Sequence, residues 1–178
     1  MAYVLSIPMV GFLQINQTDA GITPPNSATV IPTPPATLGQ IVRAVDPTYG
    51  EGEFILLLGV ASTAIGSLVT YNATTYQTAL SANTAGLGQP VAVAMSANLA
   101  GTFGWYQIGG LAVIAKTAVQ TTAQVAVYQS ATAGSIMPTA ATGRQILGAR
   151  SANLATVTTT TATLVVSINR PHLQGQIT

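Results

Sequence analysis

Ala162-Thr163-Leu164-Val165-Val166-Ser167-Ile168-Asn169 reads as a β-strand. Leu164, Val166 and Ile168 alternate with Thr163, Val165 and Ser167, the two-residue period of a strand with one buried face. Working back from it, the chain from residue 51 is a series of short apolar runs set apart by Gly, Ser, Thr and Asn. The runs lie at 53–60, 66–72, 75–80, 90–95, 103–108, 111–115, 123–129, 134–137, 144–150, 153–159 and 162–169. No window carries a 3.6-residue apolar period with a charged far face, so helices are not expected. Many short strands at close spacing predict an all-β sandwich or barrel of antiparallel strands.

Part of this region repeats. Gly88-Gln89-Pro90-Val91-Ala92-Val93-Ala94-Met95-Ser96-Ala97-Asn98-Leu99-Ala100 parallels the run from Gly143 to Ala155, and Ser-Ala-Asn-Leu-Ala is identical in both. Upstream, Leu68-Val69-Thr70-Tyr71-Asn72-Ala73-Thr74 resembles Ala126-Val127-Tyr128-Gln129-Ser130-Ala131-Thr132. The order of the matches is the same, which predicts an internal duplication of a few-stranded unit. Two copies pack on each other as one barrel or sandwich, since an array needs more repeats.

Residues 1–50 differ in kind. Seven of the ten prolines fall there, and Thr23 to Pro35 reads as an extended, polyproline-like arm. The expected organisation is an arm at 1–50, a β domain at 51–172 and a tail at 173–178. Apolar residues flank the prolines, and Val4, Leu5, Ile7, Phe12, Leu13 and Ile15 are the candidates for contact with a partner. The alternative is an edge strand on the chain's own domain.

Composition narrows the function. Only 5% of the 178 residues are charged, and the net charge is +1. Arg43, Lys116, Arg144, Arg150 and Arg170 are scattered, so no patch for nucleic-acid phosphates is expected. The chain lacks Cys, its one His is His172, and its four carboxylates (Asp19, Asp46, Glu51, Glu53) lie in the first 53 residues. No enzyme, cofactor or metal function is expected from that inventory. Asp46-Pro47-Thr48-Tyr49-Gly50-Glu51-Gly52-Glu53 groups three carboxylates, which would suit Ca²⁺, but it lacks EF-hand spacing and reads better as a turn. Gly86-Leu87-Gly88 and Gly109-Gly110 read as turns, because neither has phosphate-loop spacing. Asn16-Gln17-Thr18 and Asn72-Ala73-Thr74 match the glycosylation pattern, but Pro8 breaks the first apolar run and no basic segment precedes it, so no secretory signal is expected. Phe54 to Tyr71 is uncharged and nearly long enough to cross a bilayer, yet its glycines and β-branched residues favour buried strands over a membrane helix. Trp105 and Tyr106 head the densest aromatic cluster, readable as core or as a sugar platform.

A surface so poor in charge repels copies weakly, which predicts burial between subunits. The run Thr156-Val157-Thr158-Thr159-Thr160-Thr161 suits a strand with a hydroxyl face that packs on a neighbour.

The block Leu38-Gly39-Gln40-Ile41-Val42-Arg43-Ala44-Val45-Asp46-Pro47-Thr48-Tyr49-Gly50-Glu51-Gly52-Glu53-Phe54-Ile55 leads into Gly59-Val60-Ala61 and Gly66-Ser67-Leu68-Val69-Thr70-Tyr71. With Gly104-Trp105-Tyr106-Gln107-Ile108-Gly109-Gly110 and Gly143-Arg144-Gln145-Ile146-Leu147-Gly148-Ala149, it resembles the head decoration (cement) proteins of tailed bacteriophages. The resemblance runs roughly over 38–170, rests on soft Gly-and-aliphatic patterns and leaves the arm uncovered. It implies a β-rich homo-oligomer, with a trimer favoured, on the outer surface of a virion capsid. The implied partner is the major capsid protein, the site of assembly is the bacterial cytoplasm, and no catalytic residues carry over. The other class of function is a tail-fibre or adhesin module that binds a glycan through Trp105 and Tyr106.

Overall fold

A computed structural model describes residues 1–6 and 13–175. Twelve strands occur among them: β1 (Val4–Leu5), β2 (Thr18–Asp19), β3 (Ile41–Asp46), β4 (Gly50–Leu58), β5 (Leu68–Tyr71) and β6 (Thr78–Leu80), then β7 (Val91–Ala94), β8 (Phe103–Ala115), β9 (Ala126–Gln129), β10 (Ile136–Met137), β11 (Gln145–Ser151) and β12 (Thr163–Leu173). All ladders between them are antiparallel, and no helix is present among the described residues. The fold is all-β, an open curled sheet whose layers pack as in a sandwich.

The repeat in sequence is a repeat in topology. In the first unit β6 pairs β5, β5 pairs β7 and β7 pairs β8. In the second, β10 pairs β9, β9 pairs β11 and β11 pairs β12. The last strands of the two units pair with each other, β12 against β8 from Thr163↔Ala115 to Asn169↔Gly109. Between the units sits an aliphatic core that includes Leu68, Val91, Val93, Ile114, Ile136, Ile146, Val166 and Leu173.

β4 is sandwiched on both faces, which explains its unbroken Phe54-Ile55-Leu56-Leu57 run. Phe54 and Leu56 pack with Trp105, Phe103, Tyr3, Leu5 and Ile15. Ile55 and Leu57 face Val69, Ala92, Ala94 and Tyr106. The apolar stretch 54–71 is therefore the end of β4, a turn and β5, and no helix among the described residues is long and apolar enough to cross a membrane.

Two expectations, on Gly109-Gly110 and on residues 153–159, need revision. Gly109-Gly110 is not a turn between two strands but a kink inside β8. Gly110 has φ +94°, and a Cβ there would meet the Glu51 carbonyl oxygen at 2.5 Å, so only glycine fits. Residues 153–159 form no strand, and the Thr156–Thr161 run is an exposed loop held to the rest by the bridge Thr121↔Val157. Residues 41–46, within the stretch read as arm, form β3 in full register with β4, from Ile41↔Ile55 to Asp46↔Gly50. Between Thr23 and Pro35 the chain doubles back, with Ile22 and Ile31 exchanging both backbone hydrogen bonds (2.9 and 2.8 Å).

Candidate interaction surface

Four of the nine formal charges meet at one place on the molecule. Strand alternation puts Arg43, Glu51 and Glu53 on the outer face of the β3–β4 pair, since Arg43 lies opposite Glu53 and Val45 opposite Glu51. Arg43 reaches Glu51 at 3.5 Å and Glu53 at 3.4 Å. Arg170 of β12 reaches Glu53 from the other side, at 3.4 Å.

The backbone beneath is bent to allow this. β4 shifts register between Glu53 and Phe54, β8 kinks at Gly110, and β11 shifts between Leu147 and Ala149. Arg170 itself sits at φ +42°, a conformation that costs a non-glycine residue free energy. These irregularities form a crease across β4, β8, β12 and β11. An open cleft of about 270 Å³ lies along it, lined by Arg43, Glu51 and Glu53 with Gly109, Gly110 and Asn169.

The acidic cluster does not converge on a cation. Asp46 points to the face opposite Glu51 and Glu53, as its register with Gly50 requires. Burial pushes its carboxyl up, but the N–H groups of Ala2, Thr48 and Tyr49 outweigh this and hold it below the usual carboxylate range. Among the described residues no group of three or more His, Asp or Glu could hold a metal ion. His172 is exposed on β12, opposite Leu147. Arg150 donates to the Gln124 carbonyl and makes no ion pair among the described residues.

Trp105 and Tyr106 cannot act as a sugar platform, because both are fully buried. The Trp105 Nε1–H donates to the Leu13 carbonyl (2.7 Å), and the Tyr106 hydroxyl accepts from Asn98 (2.7 Å). Burial pushes the Tyr106 hydroxyl above its ordinary range, against the hydrogen bonds of Asn98 and Thr78. Of the candidate contact residues, Leu5 and Ile15 are buried in the core around Phe54, and Leu13 is partly buried against it. Val4 points outward, 66% exposed. Ile7 and Phe12 lie outside the described residues.

The two Ser-Ala-Asn-Leu-Ala segments were legible only as markers of repetition. In the structure each lies in the connection to the last strand of its unit, the second starting at the last residue of β11, and each presents its leucine to solvent: Leu99 at 66% exposure and Leu154 at 93%. The loops lie at opposite ends of β8. Thr102, beside Leu99, bonds to Gly59 next to the start of β8, whereas Asn153 bonds to Thr121 and Thr122 beyond its end. The 13 residues of β8 span about 40 Å of strand path. Lys116 fixes the far loop. It is buried with no carboxylate partner among the described residues, and its Nζ donates to the carbonyls of Thr117 (3.0 Å), Val119 (2.7 Å) and Thr158 (3.3 Å).

Comparison with family models and with curated proteins finds no match to this chain.

Proposed function

We propose that the chain is a virion structural protein that decorates and cements the outer surface of a phage capsid, with the major capsid protein as its partner. The observation that carries this reading is the pair of loops that share Ser-Ala-Asn-Leu-Ala and turn their leucines outward at the two ends of β8. Two like anchors on one chain engage together only on a surface that repeats, and a shell is such a surface. Burying one leucine is worth about 2 kcal/mol, too little for stable binding alone. Two linked contacts multiply, and avidity gains of about 10²–10⁴ then become available. Ile22 and Ile31, more than half exposed in the proline-rich stretch, supply a third apolar contact. The protein's role is mechanical, with contact energy repeated over many copies.

The test is the copy number in purified particles of the source, set against the most abundant shell protein. A ratio near one supports decoration over the whole shell. Absence from the particle ends the reading. A Leu99→Asp, Leu154→Asp double variant is expected to be lost from particles under dilution while remaining folded.

A second reading, an adhesin that binds a neutral glycan, draws on one feature. An uncharged cleft of about 280 Å³ is lined by Thr70, Tyr71, Asn72, Thr75, Gln77 and Gln89. A glycan array that loses its signal on Tyr71→Ala would favour this reading.

A further inference from the structure

We propose that the outer face of β1, β3 and β4 is a self-association surface, on which a second copy of this chain docks face to face about a two-fold axis. Register defines the face. Val4 lies opposite Val45, and Ile41 and Arg43 share the outward side of β3 with it. Val4, Ile41 and Val45 are exposed aliphatics, 66%, 43% and 48% accessible, around the ion-paired group of Arg43, Glu51, Glu53 and Arg170. Among the described residues β1 lies at the end of the strand order, with β3 as its ladder partner.

Charge names the occupant. A patch of one sign calls for a partner of the other sign. This patch holds two arginines and two glutamates and sums to zero, and it gathers four of the nine charges of the chain. Such a patch complements a copy of itself turned by 180°, the geometry of an isologous contact. The intrachain pairs leave capacity for it. They are long (3.4–3.5 Å), the Arg43 and Glu51 side chains are 65% and 56% exposed, and a guanidinium has five donors. Arg43 of each copy can then meet the partner's Glu51, twice across the axis, with the aliphatic side chains closing around the pairs. The contact needs no shell, so it is independent of the decoration reading, and it specifies a dimer where the family resemblance implies a trimer.

The test is sedimentation equilibrium on the full chain over a micromolar concentration series. Wild type is expected to be a dimer. Arg43→Glu and Glu51→Arg are each expected to weaken dimerisation at least tenfold, because like charges then face each other twice. An equimolar mixture of the two variants is expected to recover a heterodimer, because both cross-axis pairs are then of opposite charge, one in the native sense and one reversed. Exposed ion pairs contribute little to folding, so both variants should melt close to wild type. Should either fail to fold, Val4→Glu places a charge in the same face at an exposed position. A monomeric wild type, a trimer, variants that dimerise as wild type does, or a mixture that stays monomeric would each overturn the proposal.

Discussion

Asn98 and Asn153 occupy the same place in two identical pentapeptides, yet their side chains do different work. Asn98 is fully buried, and its Nδ2 donates to the Tyr106 hydroxyl. Asn153 is partly exposed, and its Nδ2 donates to the backbone carbonyls of Thr121, Thr122 and Ala155. The units diverge in the same way at large. The first is covered by β4 and by Tyr3, Leu5 and Ile15, and it adds Phe103 and Trp105 to an aromatic cluster with Tyr3 and Phe54. The second has no such cover among the described residues, packs through the aliphatic core that lies between the units, and has its long threonine loop anchored by Lys116. Local sequence sets the loop and the outward leucine in both, and the tertiary setting decides what the asparagine serves.

The largest break in this comparison should come from Trp105→Ala, which empties the aromatic half and is expected to cost about 4 kcal/mol in urea unfolding, against about 3 kcal/mol for Ile146→Ala in the aliphatic half. Equal losses would mean that the two cores are alike in energy. Next is Lys116→Met, which leaves three carbonyls without their donor. A cost of about 2–3 kcal/mol is expected, with hydrogen exchange accelerated at 117–121 and 156–161 and unchanged around Asn98. The asparagines themselves should separate, at about 2 kcal/mol for Asn98→Ala, which removes the amide donor to a buried hydroxyl, and about 1 kcal/mol or less for Asn153→Ala, whose carbonyl partners lie nearer water.

A smaller effect depends on pH. The folded Asp46 carboxyl is held below its unfolded value, so its contribution is present above about pH 4 and is lost as pH falls through the folded value. The melting temperature of wild type should therefore drop in acid, and Asp46→Asn should remove that part of the drop. Since Asp46 ties Ala2 to the β3–β4 turn, the acid effect belongs to the covered unit alone. Smallest of all, Leu99→Asp and Leu154→Asp should each change stability by less than about 0.5 kcal/mol, as expected for surface positions. A larger loss would mean that the leucines pack on their own domain.

The all-β class was readable from residues 162–169, because alternation there meets β-branched side chains and few competing signals. The duplication was readable from the pentapeptide and maps onto matching strand orders. The single long β8 was not, since Gly109-Gly110 has the composition of a turn and only the close approach of β4 reveals a kink. The threonine run misled for the opposite reason. Its β propensity is high, but most of its backbone finds no neighbouring strand. Of the charged face, Arg43 with Glu51 and Glu53 was within reach of sequence reasoning as a possible pair. Arg170 was not, because it lies 117 residues from Glu53 and reaches it only through a left-handed turn of its backbone.

The antiparallel pairing of β8 with β12 also governs how the molecule carries tension. The Leu99 loop leads into the start of β8 and the Leu154 loop into the start of β12, and those starts lie at opposite ends of the ladder. A pull applied through the two loops runs along the strands and loads the seven registered pairs from Thr163↔Ala115 to Asn169↔Gly109 in shear. All of them must yield together, whereas a pull from one end would peel them one by one. The seam between the duplicated units is thus the strongest direction in which a body held at those two points can be stretched.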